Sequence, residues 1–402
     1  MIKNKKILIN GVTLVSDGLF PHLLTKYRYF QSQGYQLYIL CPDKIYPLNT
    51  IDDVYTYSKQ QSFYKTLHSG NISKFTYIIL ALTEDIKALV NIKKIIKSDF
   101  DIIYSQSSVL NLTLIPFILK IFRKKTIWAT IFDNTVPLFD PGNPIVRLLA
   151  WIFFHFSLVL LRQADLIFVI SEDLKNYLHK NGFKLRQLAV TGNAIETDTL
   201  RLAKKSPKYN YDSLYVGRIN ETKGIYDLLE VLKIITKTYP SFTLAIMGSG
   251  DSPTIKKFKE KINDYNLTRN VKFLGFQIGI KKYSIIKSSK TFIFLSQSKS
   301  ESFGIALLEA VSCGLPAITY DLLPYRSLYK YHEIYSYPIG SIEEIAQKLI
   351  EIFKHKQFVN LPGKKLLGKY SWEHIGKLEL DHINKILKWK TSIPISIPSQ
   401  MF

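Results

Sequence analysis

Short apolar, β-branched-rich runs recur along this chain with a helical pattern between most neighbouring pairs, and no other feature restricts the fold as strongly. In the first half, strands are expected at Lys6–Ile9, Gln36–Leu40, Asp101–Tyr104, Thr126–Ile131, Asp165–Ile170 and Gln187–Val190, with helices around 19–33, 76–97, 107–122, 145–163 and 171–181. Ser171 is the expected N-cap of the last of these, with Glu172 and Asp173 in the first turn, where the helix dipole favours acids. Near-continuous apolar strands separated by helices describe a parallel sheet covered on both faces.

The pattern lapses in a polar stretch around Arg201–Tyr211, read as a linker, and then restarts. Strands are expected at Ser213–Val216, Thr243–Met247, Val271–Leu274, Thr291–Leu295 and Ala317–Tyr320, with helices at 225–238, 253–266, 280–289 and 303–313. Ser252 and Ser302 are the expected caps of two of them, and Gly314 with Pro316 ends the last. A chain of 402 residues is too long for one ordinary core. The reading is α/β: two doubly wound Rossmann-like domains in series, facing across a cleft, with ligands at the carboxyl ends of the strands.

Charge and cysteine content narrow the setting. The net charge of +22 is spread over both halves and favours an anionic partner: lipid headgroups, nucleic acid or a phosphorylated substrate. Cys41 and Cys313 are too few for a disulfide framework and form no C-x-x-C pair, so a cytoplasmic location is expected. The basic start, Met1–Lys6, is followed by too short an apolar run for a signal peptide. Leu148–Leu161, bounded by Arg147 and Arg162, is 14 residues long, against the roughly 20 that a spanning helix needs. With the basic end of the preceding helix, Lys120–Lys125, it reads either as a buried sheet-covering helix or as a helix at an anionic membrane surface.

Two constellations carry chemistry. In Ser300–Ala310, Glu301 precedes a helix and Glu309 lies inside it, eight residues on, so their Cα atoms are at most roughly 12 Å apart along the axis. That is about the reach from a hexose across a diphosphate to a ribose. The helix start at Phe303 and Gly304 offers free backbone N–H groups to phosphate, and a carboxylate accepts well from vicinal hydroxyls. Taken alone, the two acids read equally well as a solvated loop residue and a helix-surface position. The second constellation is Val216–Gly224, between a strand and a helix, where Arg218 and Lys223 are phosphate-clamping cations and Gly217 and Gly224 allow close approach. Gly248-Ser249-Gly250 lacks the third glycine of a dinucleotide fingerprint and reads as a tight strand-to-helix turn.

Together, Gly217-Arg218, Lys223-Gly224 and Glu301-x7-Glu309 resemble the large family of retaining GT-B glycosyltransferases that use nucleotide sugars, the group 1, family 4-like enzymes. The resemblance covers about residues 165–375, including Met247–Gly250, Phe273–Phe276 and Tyr370–Glu373. It implies that Arg218 and Lys223 hold the donor diphosphate, Glu309 the ribose and Glu301 the sugar. It also implies that Gly248 lies near the donor, that backbone around Phe276 lines the base pocket, and that a last helix, about 376–402, packs back on the first domain. The domains expected on this basis are 1–205 on the acceptor side and 206–375 for the nucleotide sugar. Two departures fall in the first domain. Single glycines in Asn10–Gly18 replace the usual pair, and Phe132 stands where many members have a histidine. Asp17, Gly18 and Asp133 are the acceptor-side candidates, with His22 nearby.

The implied reaction transfers a sugar from a nucleotide-diphosphate sugar, as co-substrate, to an acceptor hydroxyl. A lipid-linked or envelope glycan is the expected acceptor, and neither cofactor nor metal is expected. The competing readings are a basic nucleic-acid-binding protein, a DNA-modifying sugar transferase on the same scaffold, and a non-catalytic sugar-nucleotide binder. Against the first, the basic residues are dispersed and form no recognised nucleic-acid motif.

Overall fold

The computed structural model describes residues 4–11, 20–41, 53–56, 83, 86–90, 92–138, 144–298, 301–328, 334–358 and 363–392. It divides into two compact units, one of residues 1–192 with 372–402 and the other of residues 193–371.

The first unit is built on seven parallel strands: β1 (Lys6–Asn10), β2 (Gln36–Cys41), β3 (Asp53–Thr56), β4 (Ile102–Ser105), β5 (Ile127–Phe132), β6 (Leu166–Val169) and β7 (Leu188–Val190). Their order is β3-β2-β1-β4-β5-β6-β7. Between them run α1 (Phe20–Ser32), α2 (Ile92–Lys97), α3 (Leu110–Phe122), α4 (Pro144–Leu161) and α5 (Glu172–Lys180). Ser171 caps α5, its hydroxyl accepting from the Leu174 amide at 3.3 Å. Strands β4 and β6 are buried at every position, as a sheet covered on both faces requires.

The second unit has six parallel strands: β8 (Ser213–Val216), β9 (Leu244–Met247), β10 (Val271–Gly275), β11 (Thr291–Phe294), β12 (Ala317–Tyr320) and β13 (Ile334–Tyr337), ordered β10-β9-β8-β11-β12-β13. Its helices are α6 (Thr197–Leu202), α7 (Ile225–Thr238), α8 (Ser252–Asp264), α9 (Gly279–Ser288), α10 (Ile305–Ser312), α11 (Leu323–Leu328), α12 (Ile342–Lys354) and α13 (Gly363–Lys369). The 3.6-residue stripe of α7 is buried throughout: Ile225, Leu228, Leu229, Leu232 and Ile235.

Several expected boundaries move, each for a local reason. A helix over Thr197–Leu202 takes in the first two residues of the expected linker and belongs to the second unit, where the Lys287 ammonium donates to the carbonyls of Leu200 and Ala203, each at 2.7 Å. The division therefore falls after Gly192 instead of after residue 205. The cap of α8 is Asp251, not Ser252, because its carboxylate accepts from the Thr254 amide at 2.8 Å. Helix α10 begins at Ile305, after Gly304 in a left-handed cap conformation, so Ser302 is not its cap.

The last helix, α14 (Trp372–Ser392), returns to the first unit and places Leu380, Ile383 and Leu387 in the core with β1, β2 and α1. Glu379 on this helix accepts from Lys26 at 3.2 Å and from the Tyr104 hydroxyl at 2.7 Å, all three side chains being buried. A buried acid and base with a shared phenol fix the rotation of α14 against α1 more sharply than apolar contact would.

Candidate active site

In each sheet the first strand is central, with the second strand on one side and the fourth on the other. The strand order reverses there while every strand stays parallel, and in open sheets of this kind the loops leaving the two central strands part in opposite directions and leave a ligand crevice at the carboxyl ends. In the second unit the strands concerned are β8 and β11. The loops that follow them carry the two constellations picked out in the sequence.

The β8 loop closes in a short 3-10 turn, Glu221–Lys223, where the Asn220 side chain accepts from the Lys223 amide at 3.1 Å. Gly224 then opens α7 with φ of 71°, and a Cβ there would lie 1.9 Å from the carbonyl oxygen of Leu295. The Gln297 amide donates to the Thr222 carbonyl at 2.9 Å, so the loop after β8 is bonded to the loop after β11. Held in this way, the Lys223 ammonium lies 2.5 Å from Oε2 of Glu301 and 5.5 Å from the centre of the Phe294 ring. The Ser296 hydroxyl reaches the same carboxylate oxygen at 3.2 Å. Both ion-pair partners keep some exposure, 17% for Lys223 and 11% for Glu301, so an incoming anion can compete for the ammonium.

Arg218 is exposed beside this pair in sequence, and among the described residues no carboxylate pairs with it. Its backbone carbonyl is fixed by the Tyr215 hydroxyl at 2.6 Å, whose ionisation burial pushes strongly upward. The turn after β9 packs directly on this loop: a Cβ on Gly248 would fall 1.8 Å from the Gly217 carbonyl oxygen. Gly217 and Gly248 are thus held against each other by backbone contact.

Glu309 lies one face further along α10 and is buried. Its Oε1 receives the Lys282 ammonium at 2.5 Å and the Tyr283 hydroxyl at 2.9 Å, both from α9. It is therefore no helix-surface position, and its partners are two residues the sequence reading did not single out. Burial, then the nearby Glu309 carboxylate, raises the Tyr283 phenol far above its usual range, so it acts as a hydrogen donor. The only sequence signal for Lys282 and Tyr283 was a polar-aromatic step inside an otherwise ordinary helix.

Phe303 is buried and packs edge-on against Tyr370 at 5.8 Å, so only its backbone is placed to meet a ligand. Gly304 stands at the cap of α10, and Phe276 is exposed just beyond the left-handed Gly275 at the end of β10. In the first unit, Asp133 follows β5 and accepts from the Ser107 hydroxyl at 3.1 Å, with burial raising its carboxyl pKa. Asp17 and Gly18 lie outside the described residues. Phe132, where a histidine is usual, is fully buried against Phe154 and stacked at 6.3 Å on Tyr177; it is a core residue and faces no ligand. Among the described residues no three His, Cys, Asp or Glu side chains converge as a metal site would need.

Comparison with known proteins bears on the family and the fold. The family described as glycosyl transferases group 1 matches residues 196–365. An uncharacterized glycosyltransferase of Methanocaldococcus jannaschii is 29% identical over 302 residues, covering 68% of this chain and 71% of the relative. A phosphatidyl-myo-inositol mannosyltransferase of Mycobacterium leprae is 24% identical over 188 residues, 45% of this chain and about half (49%) of that protein. Among solved structures, Anabaena HepE in complex with UDP-glucose superposes with a TM-score of 0.65 at 15% identity, over 96% of this chain and all of that one. A likeness at that identity shows the fold, the two-domain α/β GT-B architecture.

Proposed function

We propose, on the match of residues 196–365 to the glycosyl transferases group 1 and on the likeness to the Methanocaldococcus jannaschii glycosyltransferase, that this glycosyltransferase transfers a sugar, with retention, from a nucleotide-diphosphate sugar to a hydroxyl of a lipid-linked or envelope glycan. The observation that carries this reading is the Lys223–Glu301 pair at the β8/β11 switch point, where a cation and an acid stand within 2.5 Å of each other. When the donor arrives, its diphosphate oxygens take over the Lys223 ammonium. Glu301 is then released to accept hydroxyls of the sugar. Arg218 supplies a second, planar set of donors to the diphosphate. The first amides of α10 add partial positive charge beside it.

Glu309, with Oε1 occupied by Lys282 and Tyr283, turns its other oxygen to a ribose hydroxyl. Gly248 lets the β9 turn close on the donor, and Phe276 borders the base. As the glycosidic bond to the diphosphate lengthens, positive charge develops on the sugar and negative charge on the leaving phosphate. The acceptor hydroxyl attacks from the face the phosphate is leaving, and the departing phosphate oxygen takes its proton. Charge stabilisation by Lys223, Arg218 and the α10 amides is a preorganised electrostatic effect, and it leaves no step for a divalent cation. Full turnover in chelator is the expected result, and a strict Mg²⁺ or Mn²⁺ requirement would contradict it.

The acceptor reading is supported by the relative named for phosphatidyl-myo-inositol and by the strongly basic chain. Asp133 with Ser107, at the carboxyl end of the first sheet, is the acceptor-side pair we assign. The free thiols Cys41 and Cys313 support a reducing, cytoplasmic setting.

Thermal-shift measurement against UDP-, GDP-, ADP- and TDP-sugars tests the donor class. One nucleotide is expected to stabilise the protein and to be released slowly from its sugar in water. Glu301→Ala and Lys223→Ala should abolish that release. Absence of stabilisation by all four would remove the proposal.

A further inference from the structure

The apolar run that the sequence left open between two readings is α4, and it satisfies neither in full. One face is buried: Phe154, Leu158, Leu160 and Leu161 pack into the first unit, and the Ser157 hydroxyl bonds the Ser108 carbonyl. That attachment packs the helix on the first unit, although its 18 residues, four more than the apolar run counted in the sequence, are long and apolar enough to cross a membrane by length and composition. The opposite face is bare. Ile145, Leu148, Ile152, Phe156 and Val159 are 44–70% exposed. Their spacing of three, four, four and three residues keeps them within about 80° of the helix circumference, along roughly 21 Å of its length. A soluble surface rarely carries so long an unbroken apolar line.

Positive charge concentrates at the end of the sheet that the C-terminal part of α4 reaches. Strands β5, β6 and β7 are adjacent and parallel, so the residues that lead into them share one edge of the sheet. Lys124 and Lys125 precede β5, Arg162 precedes β6, and Lys184 and Arg186 precede β7; all five are exposed. Exposed Ile121 and Phe122, at the end of α3, and Leu185 lie among them. Arg162 follows the last stripe residue, Val159, by less than one helical turn. The acids nearest this edge, Asp99, Asp101 and Asp165, are already paired, with Arg123, with Lys5 and with Lys120 and Lys390.

We propose that the outer face of α4 and this basic edge dock the first unit on an anionic lipid bilayer, with α4 lying in the plane of the headgroups. Amphipathic helices lie in this way with their apolar face sunk about 5–10 Å, held by buried apolar area and by attraction to anionic lipid. A second copy of the chain fits less well. A two-fold contact over α4 would bring like-charged edges toward each other in a molecule of net charge +22. The surface is separate from the β8/β11 site, so the inference stands whether or not the transfer reaction is as proposed.

Flotation with vesicles of phosphatidylcholine, alone or mixed with phosphatidylglycerol, at physiological salt tests the docking. Wild type should float with the mixed vesicles and not with phosphatidylcholine alone, and raised salt should release it. Ile152→Glu/Phe156→Glu and, separately, Lys124→Glu/Lys125→Glu should each lower the floated fraction at least about tenfold. All four residues are exposed, so both variants should melt as wild type does and turn over soluble donor unchanged. The proposal is overturned if wild type stays unbound, or if Ile152→Glu/Phe156→Glu floats undiminished. It is also overturned if the stripe instead supports a dimer that the same variant splits and that vesicles do not displace. Loss of donor turnover in Lys223→Ala bears on the transfer reaction and leaves flotation unaffected.

Discussion

Lys223 and Glu301, 78 residues apart in the chain, meet at 2.5 Å because their loops leave the two adjacent strands at which the strand order of the second sheet reverses. The pair neutralises itself, and in the proposed reaction a diphosphate separates it. Removing either partner should therefore have different consequences. Lys223→Ala is expected to lower kcat about 100-fold or more, the usual loss for one preorganised electrostatic donor. Glu301→Gln should reduce turnover comparably while leaving nucleoside-diphosphate affinity equal to wild type or tighter, since it frees the ammonium. Isothermal titration of both variants with the nucleotide identified by thermal shift checks the split. A parallel loss of nucleotide affinity in both would contradict it.

Lys282 is the residue whose importance is least apparent from the sequence. Lys282→Met strips the ammonium from a buried Glu309 and should destabilise the second unit by about 3 kcal/mol. Tyr283→Phe removes only one neutral donor to the same oxygen and should cost about 1.5 kcal/mol. Urea unfolding measures both, and the order of the two effects is the prediction.

Gly248→Ala places a methyl group 1.8 Å from the Gly217 carbonyl oxygen, so the turn after β9 or the loop after β8 must move. A fall in Tm of at least about 4 °C is expected, at about 2–4 °C per kcal/mol for a unit of this size. Gly368→Ala, where the new methyl meets nothing within 4 Å in a helix, should be neutral or slightly stabilising. Differential scanning fluorimetry of the two variants side by side separates close approach from a general intolerance of substitution.

Alkaline pH should loosen the attachment of α14. Tyr35, bonded to Asn384 on that helix, has its phenol pushed up to about 12 by burial, from an ordinary 10.0. The folded state keeps a proton that the unfolded chain releases above pH 10. Stability from this group is thus fully present below about pH 10 and is lost as pH rises through about 12. Tyr35→Phe removes that component, so its stability should fall less steeply than wild type over this range. Equal slopes in urea titrations from about pH 9 upward would show that Tyr35 is not titrating in this way.

The succession of strands and helices was legible from the sequence because burial on both faces forces apolar runs that helices must interrupt. The loop after β8 and the spacing of Glu301 and Glu309 were legible because glycine, cation and acid fell between a strand and the helix that follows it. Where local chemistry offered two neighbouring caps, as with Ser252 and Asp251 or Ser302 and Gly304, composition did not choose between them. The backbone path into the helix did.

Other features depend on contacts between elements remote in the chain, which no periodicity encodes. Glu309 acquires Lys282 and Tyr283 from a different helix, and Lys26 acquires Glu379 across 353 residues. Phe132 sits at a suggestive position, yet the aromatic packing of Phe154 and Tyr177 turns it inward. Helix α4 is apolar nearly all round in sequence, so only the packing of the sheet beneath it decided which face was covered and which was left bare. By itself, then, the sequence settled the order of elements and the kinds of group at the strand ends, since both follow from local hydrophobic pattern and residue type. Which charges are paired, which aromatic rings are core and which apolar face meets solvent were decided by tertiary structure, because burial belongs to a neighbourhood and not to a residue.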